Sequence, residues 1–139
     1  MTMLRKQFSL TMTWFIFIVL LVLSVRPAYA EWLIVSIMED GTTVYIDSET
    51  LRHQGNVVTM WVLFDSPGMK VMDGISSRSM RAQFQIDCDQ ELYRSLAVTR
   101  FSGNMATGKV VSNAAGKGKW APVAPKTVAK MLMNSQCKE

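Results

Sequence analysis

Residues 79–88 read Ser-Met-Arg-Ala-Gln-Phe-Gln-Ile-Asp-Cys, and this stretch decides the fold. Polar and apolar side chains alternate over all ten positions. The apolar phase consists of Met80, Ala82, Phe84, Ile86 and Cys88. Successive side chains of a β-strand point to opposite faces of the sheet, so the alternation predicts a half-buried antiparallel strand. The same pattern places Cys88 on the side of the strand that faces the core.

Short segments on both sides of this strand have the β-branched and aromatic composition of further strands. They are residues 32–37, 42–46, 57–64, 92–101 and 109–112. The Asp40-Gly41 pair between the first two segments predicts a hairpin. Segment 57–64 contains several apolar residues in a row, so we expect both of its faces to be buried and place it centrally in the sheet. Residues 65–73 and 113–119 are rich in turn formers and predict loops.

The C-terminal part of the chain changes character and predicts a helix over residues 126–134. Val128, Met131 and Leu132 have the i, i+3, i+4 spacing of one helical face. Thr127 is a suitable N-cap residue, because its hydroxyl can accept a hydrogen bond from a free N–H of the first turn.

The chain contains two cysteines, Cys88 and Cys137. An isolated pair in an oxidising compartment is most simply a disulfide, which would attach the end of the helix to the inner face of the sheet. A thiol redox site would require a C-x-x-C motif, and a zinc site would require His53 and a carboxylate to join both thiols. The predicted fold is therefore α+β: a small, mostly antiparallel sheet with a C-terminal helix packed on it and one disulfide.

The N-terminal residues have the features of a cleavable secretory signal. Basic residues near the start precede an apolar run at residues 14–25, and the small-residue site Ala28-Tyr29-Ala30 follows it. Even extended back to Leu10, the run has 16 residues, whereas a bilayer requires roughly 20. We therefore predict a signal peptide over residues 1–30 and a single domain over residues 31–139.

Cleavage at that site changes the charge of the protein. The whole chain has a net charge of +4, and residues 1–30 contain three cations and no acid, so the remaining domain carries +1. Binding to a nucleic-acid backbone depends on many unopposed cations, and we therefore predict no nucleic-acid partner. A modest basic surplus remains after residue 100, where six lysines accompany one glutamate.

No group of residues has the pattern of a catalytic or metal site. The single histidine, His53, lies in a polar turn, where histidines are usually solvated. Asp87 and Asp89 are close enough in sequence to interact, but carboxylates at strand ends are usually solvated too. Residues 116–119 (Gly-Lys-Gly-Lys) resemble part of a phosphate-binding loop, except that Val111 stands where its first glycine should be. We therefore predict a non-catalytic protein without a cofactor or a metal.

A binding function is better supported by the composition of the C-terminal part. The candidate residues are Lys109, Lys117, Lys119 and Trp120. Lysines in this number suit an acidic polymer or an acidic patch on a protein, although an ordinary solvated surface has the same composition. Aromatic side chains can form a binding surface, and we assign that role to the tryptophan beside the lysines. Trp61, Phe84 and Ile86 are assigned to the core.

Several segments in a fixed order connect this sequence to a known family. They are Trp32-Leu33-Ile34-Val35, Val44-Tyr45-Ile46-Asp47, Trp61-Val62-Leu63-Phe64-Asp65, Asp87-Cys88, Tyr93-Arg94, Trp120-Ala121-Pro122-Val123-Ala124-Pro125 and Cys137. With these segments the chain resembles the surface-adhesin protein E family of Gram-negative bacteria over residues 31–137. The specificity of the resemblance lies in the order and spacing of the segments. The best-known member of that family is a surface adhesin that binds host matrix proteins.

The resemblance implies the antiparallel sheet, the C-terminal helix and the Cys88–Cys137 bridge, and a host matrix protein or an envelope protein as partner. The best-known member is lipid-anchored, whereas Glu31, not a cysteine, follows the predicted cleavage site here. We therefore expect a periplasmic or secreted protein without a stable membrane anchor. The alternative is a periplasmic accessory protein that binds another envelope protein, or an acidic polymer through its basic C-terminal part.

Overall fold

The structure, a computed structural model, describes residues 2–24 and 30–137. Its first element is helix α1 (Thr2–Leu23), in which the segment Arg5–Leu23 is apolar and long enough to cross a membrane and is not buried against the rest of the chain. A secretory signal has the same properties. The helix is longer than the apolar run of the sequence because it also includes the polar residues before it. The predicted cleavage site, Ala28-Tyr29-Ala30, lies mostly outside the described residues.

In the part of the chain that the structure describes, eight strands follow, and all their pairings are antiparallel. They are β1 (Trp32–Ile37), β2 (Thr43–Asp47), β3 (Arg52–Gln54), β4 (Val57–Met72), β5 (Ile75–Asp87), β6 (Leu92–Phe101), β7 (Val110–Ala115) and β8 (Ala121–Pro122). The order across the sheet is β1-β2-β4-β5-β6-β7, with β3 paired to β4 and β8 paired to β6. Helix α2 (Val128–Gln136) completes the predicted α+β fold.

Pairing between β4 and β5 forms the centre of the sheet. Val58 lies opposite Ile86 and Val62 lies opposite Ala82. Because paired residues of antiparallel strands share a face, the apolar phase of β5 meets the apolar phase of β4. The alternating stretch therefore sets which face of the whole sheet becomes the core, as the sequence predicts.

The core lies between this face of the sheet and helix α2. Its buried members are Val44, Ile46, Val58, Met60, Val62, Ile86, Leu132 and Met133. Helix α2 supplies the last two, and the Thr127 hydroxyl caps the helix by accepting a hydrogen bond from the backbone N–H of Lys130 at 3.3 Å. The predicted cap is confirmed, and so is the helix, which runs from Val128 to Gln136 instead of residues 126–134. Met133, not the predicted Met131, is buried beside Leu132.

A disulfide joins the two layers. Cys88 follows β5 directly and Cys137 ends helix α2, with their Cα atoms 5.6 Å apart. Both residues pack against the core cluster. The bridge closes a loop of 49 positions and holds the short helix against the sheet.

Two predicted loops are wrong in their extent. Residues 65–73 belong largely to β4, which continues to Met72 and pairs again with β5 from Lys70 onwards after an irregularity at residues 66–69. Proline has no N–H to donate, so Pro67 is tolerated within this bulge, where the ladder is interrupted. The chain turns instead at Asp73-Gly74. Strand β7 similarly includes the first three residues of the predicted 113–119 loop.

The assignment of Trp61 to the core is also wrong. Trp61 is half-buried and its neighbours Met60 and Val62 are fully buried, because alternate residues of β4 face opposite sides. Trp61 therefore lies on the sheet face that helix α2 does not cover. Of the other two predicted core residues, Ile86 is 1% exposed and Phe84 packs against the core cluster.

An ion pair ties the first hairpin to the β4 bulge region. Lys70 Nζ contacts Asp40 Oδ2, and Asp40 Oδ1 accepts a hydrogen bond from the Thr42 N–H at 2.9 Å. The hydrogen bond from Lys70, followed by that from Thr42, lowers the pKa of Asp40 from 3.8 to about 2. These bonds favour the charged carboxylate.

We predict that a Cys88→Ser/Cys137→Ser variant loses roughly 4 kcal/mol of unfolding free energy, the loop-entropy value for a closure of this length. Urea unfolding of the oxidised domain and of the variant measures the difference. Reduction of the disulfide in the native protein should reproduce most of this loss of unfolding free energy. As a control, Lys117→Ala should leave the midpoint of urea unfolding unchanged. Equal midpoints for the oxidised protein and the double variant would contradict a stabilising bridge.

We further predict that Lys70→Met raises the pKa of Asp40 from about 2 towards 3.8, because its strongest hydrogen-bond donor is removed. Carboxyl NMR titration measures this value, with Lys109→Met as the control. Since folding lowers this pKa, the stabilisation from ionised Asp40 is complete above pH 3.8 and is lost as the pH falls through about 2. An unchanged pKa in the Lys70 variant refutes the assigned cause.

Candidate functional site

The face of the sheet opposite helix α2 is the candidate site. Alternation along β4 and β5 places Thr59, Trp61, Arg81 and Gln85 on this face, since Trp61 pairs with Gln83 and Thr59 pairs with Gln85. Within residues 2–24 and 30–137, no helix packs on it. We call this surface, formed by Thr59, Trp61, Arg81, Gln85, Arg94 and Trp120, the open face.

Arg81 covers the aromatic rings at the centre of the open face. Its guanidinium carbon lies 5.0 Å from the ring centroid of Trp61 and 6.0 Å from that of Phe101. A guanidinium at this distance is attracted by the negative face of an aromatic ring. The side chain also covers apolar surface with its methylene groups, which explains how Trp61 stays half-buried without a second layer of secondary structure.

A second arginine–tryptophan pair lies at the start of β6. The guanidinium carbon of Arg94 lies 4.3 Å from the ring centroid of Trp120. Arg94 Nε donates a hydrogen bond to Gln85 Oε1 at 2.9 Å, and Gln85 Nε2 donates to Thr59 Oγ1 at 3.2 Å. These hydrogen bonds connect β6, β5 and β4, and they fix the orientation of the Arg94 guanidinium beneath the ring of Trp120.

The structure brings together only part of the predicted lysine surface. The N–H groups of Gly116 and Gly118 donate to Leu96 and Ser95 carbonyls at 2.9 and 2.8 Å, so the loop that carries exposed Lys117 and Lys119 runs along β6 towards Trp120.

Lys109 lies apart from this group. Its backbone bonds to Ser102, just beyond the end of β6, whereas Trp120 precedes Ala121, which pairs with Tyr93 near the start of that strand. Nine residues of extended chain correspond to about 30 Å. Lys109 is therefore not part of the surface that contains Trp120.

The open face carries positive charge at its centre. Among the described residues, neither Arg81 nor Arg94 lies within ion-pair distance of a carboxylate. The carboxylates at the ends of the strands are engaged in turns: Asp65 accepts the Met105 N–H at 2.7 Å, and Asp87 accepts the Asp89 N–H at 3.0 Å. Both guanidinium groups thus remain available to an acidic partner.

The residues weighed for catalysis are not assembled into a site. His53 lies exposed on β3, and Asp87 holds the β5–β6 turn, also accepting the Gln90 N–H at 2.9 Å. Asp89 accepts a hydrogen bond from Asn56 Nδ2 at 3.2 Å. Within the described ranges, no three His, Cys, Asp or Glu side chains are grouped as metal ligands would be.

Sequence reasoning missed Arg81 and Arg94 as members of the site. Arg81 belongs to the polar phase of residues 79–88, so the alternation that identifies the core also identifies the side chains of the opposite face. No sequence signal pairs Arg94 with Trp120, because their contact depends on how the loop after β7 returns to β6.

Comparison with known proteins supports the resemblance. A search of curated proteins finds no match. Among solved structures, protein E of Haemophilus influenzae in its selenomethionine form is 16% identical, with a TM-score of 0.57, over 82% of this chain and 88% of that chain. Protein E from non-typeable Haemophilus influenzae is 17% identical, with a TM-score of 0.51, over 82% of this chain and 78% of the other. At these identities the similarity establishes the fold.

A second crystal form of Haemophilus influenzae protein E matches equally broadly, at 15% identity and a TM-score of 0.55, over 82% of this chain and 90% of that chain. The family profile described as "Surface-adhesin protein E" matches residues 32–138, which is nearly the whole predicted domain. The order of segments in the sequence, the antiparallel sheet with its bridged helix and this match agree: the chain belongs to the surface-adhesin protein E family.

Proposed function

We propose that this chain is an exported, non-catalytic binding protein of the bacterial cell envelope, and that it binds a protein partner through the open face. The observation that carries the proposal is the stacking of Arg81 on Trp61 and of Arg94 on Trp120. Tryptophan and arginine are enriched among the residues that dominate protein–protein binding energy. Here they are held in place before any partner arrives, which lowers the entropy cost of binding.

Charge favours a partner with an acidic patch. Two arginines without carboxylate partners in the described chain, together with Lys117 and Lys119 beside Trp120, give the open face a positive potential. Such a potential increases the rate of encounter with an acidic surface and disfavours basic ones. Among the partners that the family suggests, we propose a host extracellular-matrix protein.

Export is supported by two separate features. Helix α1 has the length and apolarity of a secretory signal, and the Cys88–Cys137 bridge requires an oxidising compartment to persist. We propose that cleavage after Ala30 releases a domain that acts in the periplasm or at the cell surface. Its core forms entirely from residues beyond that site.

A second candidate function is suggested by the loop that runs along β6. Lys117 and Lys119 are exposed and point to an acidic polymer as ligand of a periplasmic accessory protein. This function depends mainly on the lysines, whereas protein binding depends mainly on the arginine–tryptophan pairs, to which the lysines add only long-range attraction. Substitutions in the two groups therefore separate the two functions.

We predict that the domain of residues 31–139 binds a coating of decellularised extracellular matrix, and that Arg81→Ala/Trp120→Ala weakens this binding about 30-fold. A 30-fold loss corresponds to about 2 kcal/mol for the pair of substitutions together, the value at which an interface residue counts as a hot spot. Biolayer interferometry measures the affinity, and His53→Ala, at an exposed position on β3, serves as the control.

Heparin is the probe for the second function in the same experiment. If the acidic-polymer function is correct, Lys117→Ala/Lys119→Ala removes salt-dependent retention on heparin and the arginine–tryptophan variant binds matrix like the native domain. Matrix binding that is equal in the native domain and in Arg81→Ala/Trp120→Ala, with both variants folded by circular dichroism, would refute the open face as the binding site.

A further inference from the structure

Helix α2 covers only part of the core face of the sheet and leaves a groove beside it. One lobe of the groove is a cavity of about 200 Å³ lined by Phe64, Phe84, Ile86, Tyr93, Val128 and Leu132. The Phe64 and Phe84 rings meet edge to face, with their centroids 6.4 Å apart. This lobe is apolar because it continues the core beyond the end of the helix.

A second lobe, a cavity of about 250 Å³, lies beside the first, and Phe64 lines both. Its apolar part comes from methionines, including Met80. Lys70, Arg78 and Arg100 also line it and give it a cationic end. We call the two lobes together the helix-side groove. Taken together, the two volumes reach the lower part of the range of about 300–1,000 Å³ that sites for small molecules occupy.

The charges at the cationic end are not fully neutralised by the chain. Lys70 contacts Asp40, and Arg100 Nη2 lies 3.9 Å from Asp73 Oδ2, a loose pair with an exposed carboxylate. Arg78 is exposed and has no ion-pair partner among residues 2–24 and 30–137. The cationic end therefore has three cations against two carboxylates.

Arg100 is the most buried of these cations. Its side chain is 15% exposed, and its Nη1 donates a hydrogen bond to the Met72 carbonyl at 3.2 Å. A largely buried guanidinium beside an apolar cavity is suited to an anionic group, because the interaction is stronger where water is excluded.

We propose that the helix-side groove binds a single-chain anionic amphiphile, a fatty-acid carboxylate, with its chain in the apolar lobe and its carboxylate at Arg78 and Arg100. A neutral apolar molecule would form no ionic interaction with the cations, and a small anion would leave the apolar lobe unfilled. The groove lies on the opposite side of the sheet from the open face, so this site is independent of the proposed protein binding.

Octanoate and decanoate, below their micelle concentrations, test the proposal in titrations of the 15N-labelled domain followed by NMR. We expect saturable shifts at the amides of Phe64, Phe84 and Arg100. Burial of a methylene group strengthens binding about fourfold, so decanoate should bind about 15-fold more tightly than octanoate. 1-Octanol should bind about tenfold more weakly than octanoate, because it lacks the charge that the guanidinium groups bind.

Variants separate the two lobes. Arg78→Gln, at an exposed position, should weaken octanoate binding and leave 1-octanol binding unchanged, and Lys117→Gln is the matched control. Ala129→Phe, which fills the apolar lobe from helix α2, should abolish binding of both probes without unfolding the domain. The proposal is overturned if decanoate gives no saturable shifts, if 1-octanol or octyltrimethylammonium binds as tightly as octanoate, or if Arg78→Gln and Lys117→Gln have equal effects.

Discussion

The fold depends on one short helix held against one face of a single sheet. Helix α2 has nine residues, too few to remain helical in water without tertiary packing. Leu132 and Met133 bury its apolar side against β4 and β5, and the Cys88–Cys137 bridge fixes its end. Because the described chain has no second helix packed on the sheet, the face opposite helix α2 has no covering helix, and Trp61 on it stays half-buried although its neighbour Leu63 is 0% exposed.

Because of this asymmetry, the two alternating sets of side chains along the central strands have different roles. In β5, Ile86 belongs to the core and Arg81 belongs to the open face, although both follow from the same alternation. The arginines give the uncovered face a substitute for a second layer, since their guanidinium groups lie on tryptophan rings. Stability and the proposed recognition are therefore assigned to opposite faces of the same strands.

The sequence predicts the sheet best where local pattern and tertiary contacts agree. Strand β6 has the predicted limits, and the alternation of β5 identifies the core face. Prediction fails beyond Pro67, because pairing with β5 resumes at Lys70 and overrides a local composition typical of loops. The prediction that Trp61 belongs to the core fails because Trp61 lies in an unbroken apolar run. Such a run has no alternation of polar and apolar residues from which the face of each side chain could be assigned. The separation of Lys109 from Trp120 depends on the path of β6 and could not be read from their sequence distance.

The sidedness of the sheet is the central claim, and hydroxyl-radical footprinting of the native, oxidised domain tests it most directly. Met60 and Met133 are 0% and 6% exposed, whereas Met69 and Met72 are each 52% exposed and Trp120 is 36% exposed. Mass spectrometry should find rapid modification of Met69, Met72 and Trp120 and protection of the two buried methionines. Oxidation of Met60 and Met133 as fast as that of Met72, with the disulfide intact, would contradict a core sealed by helix α2.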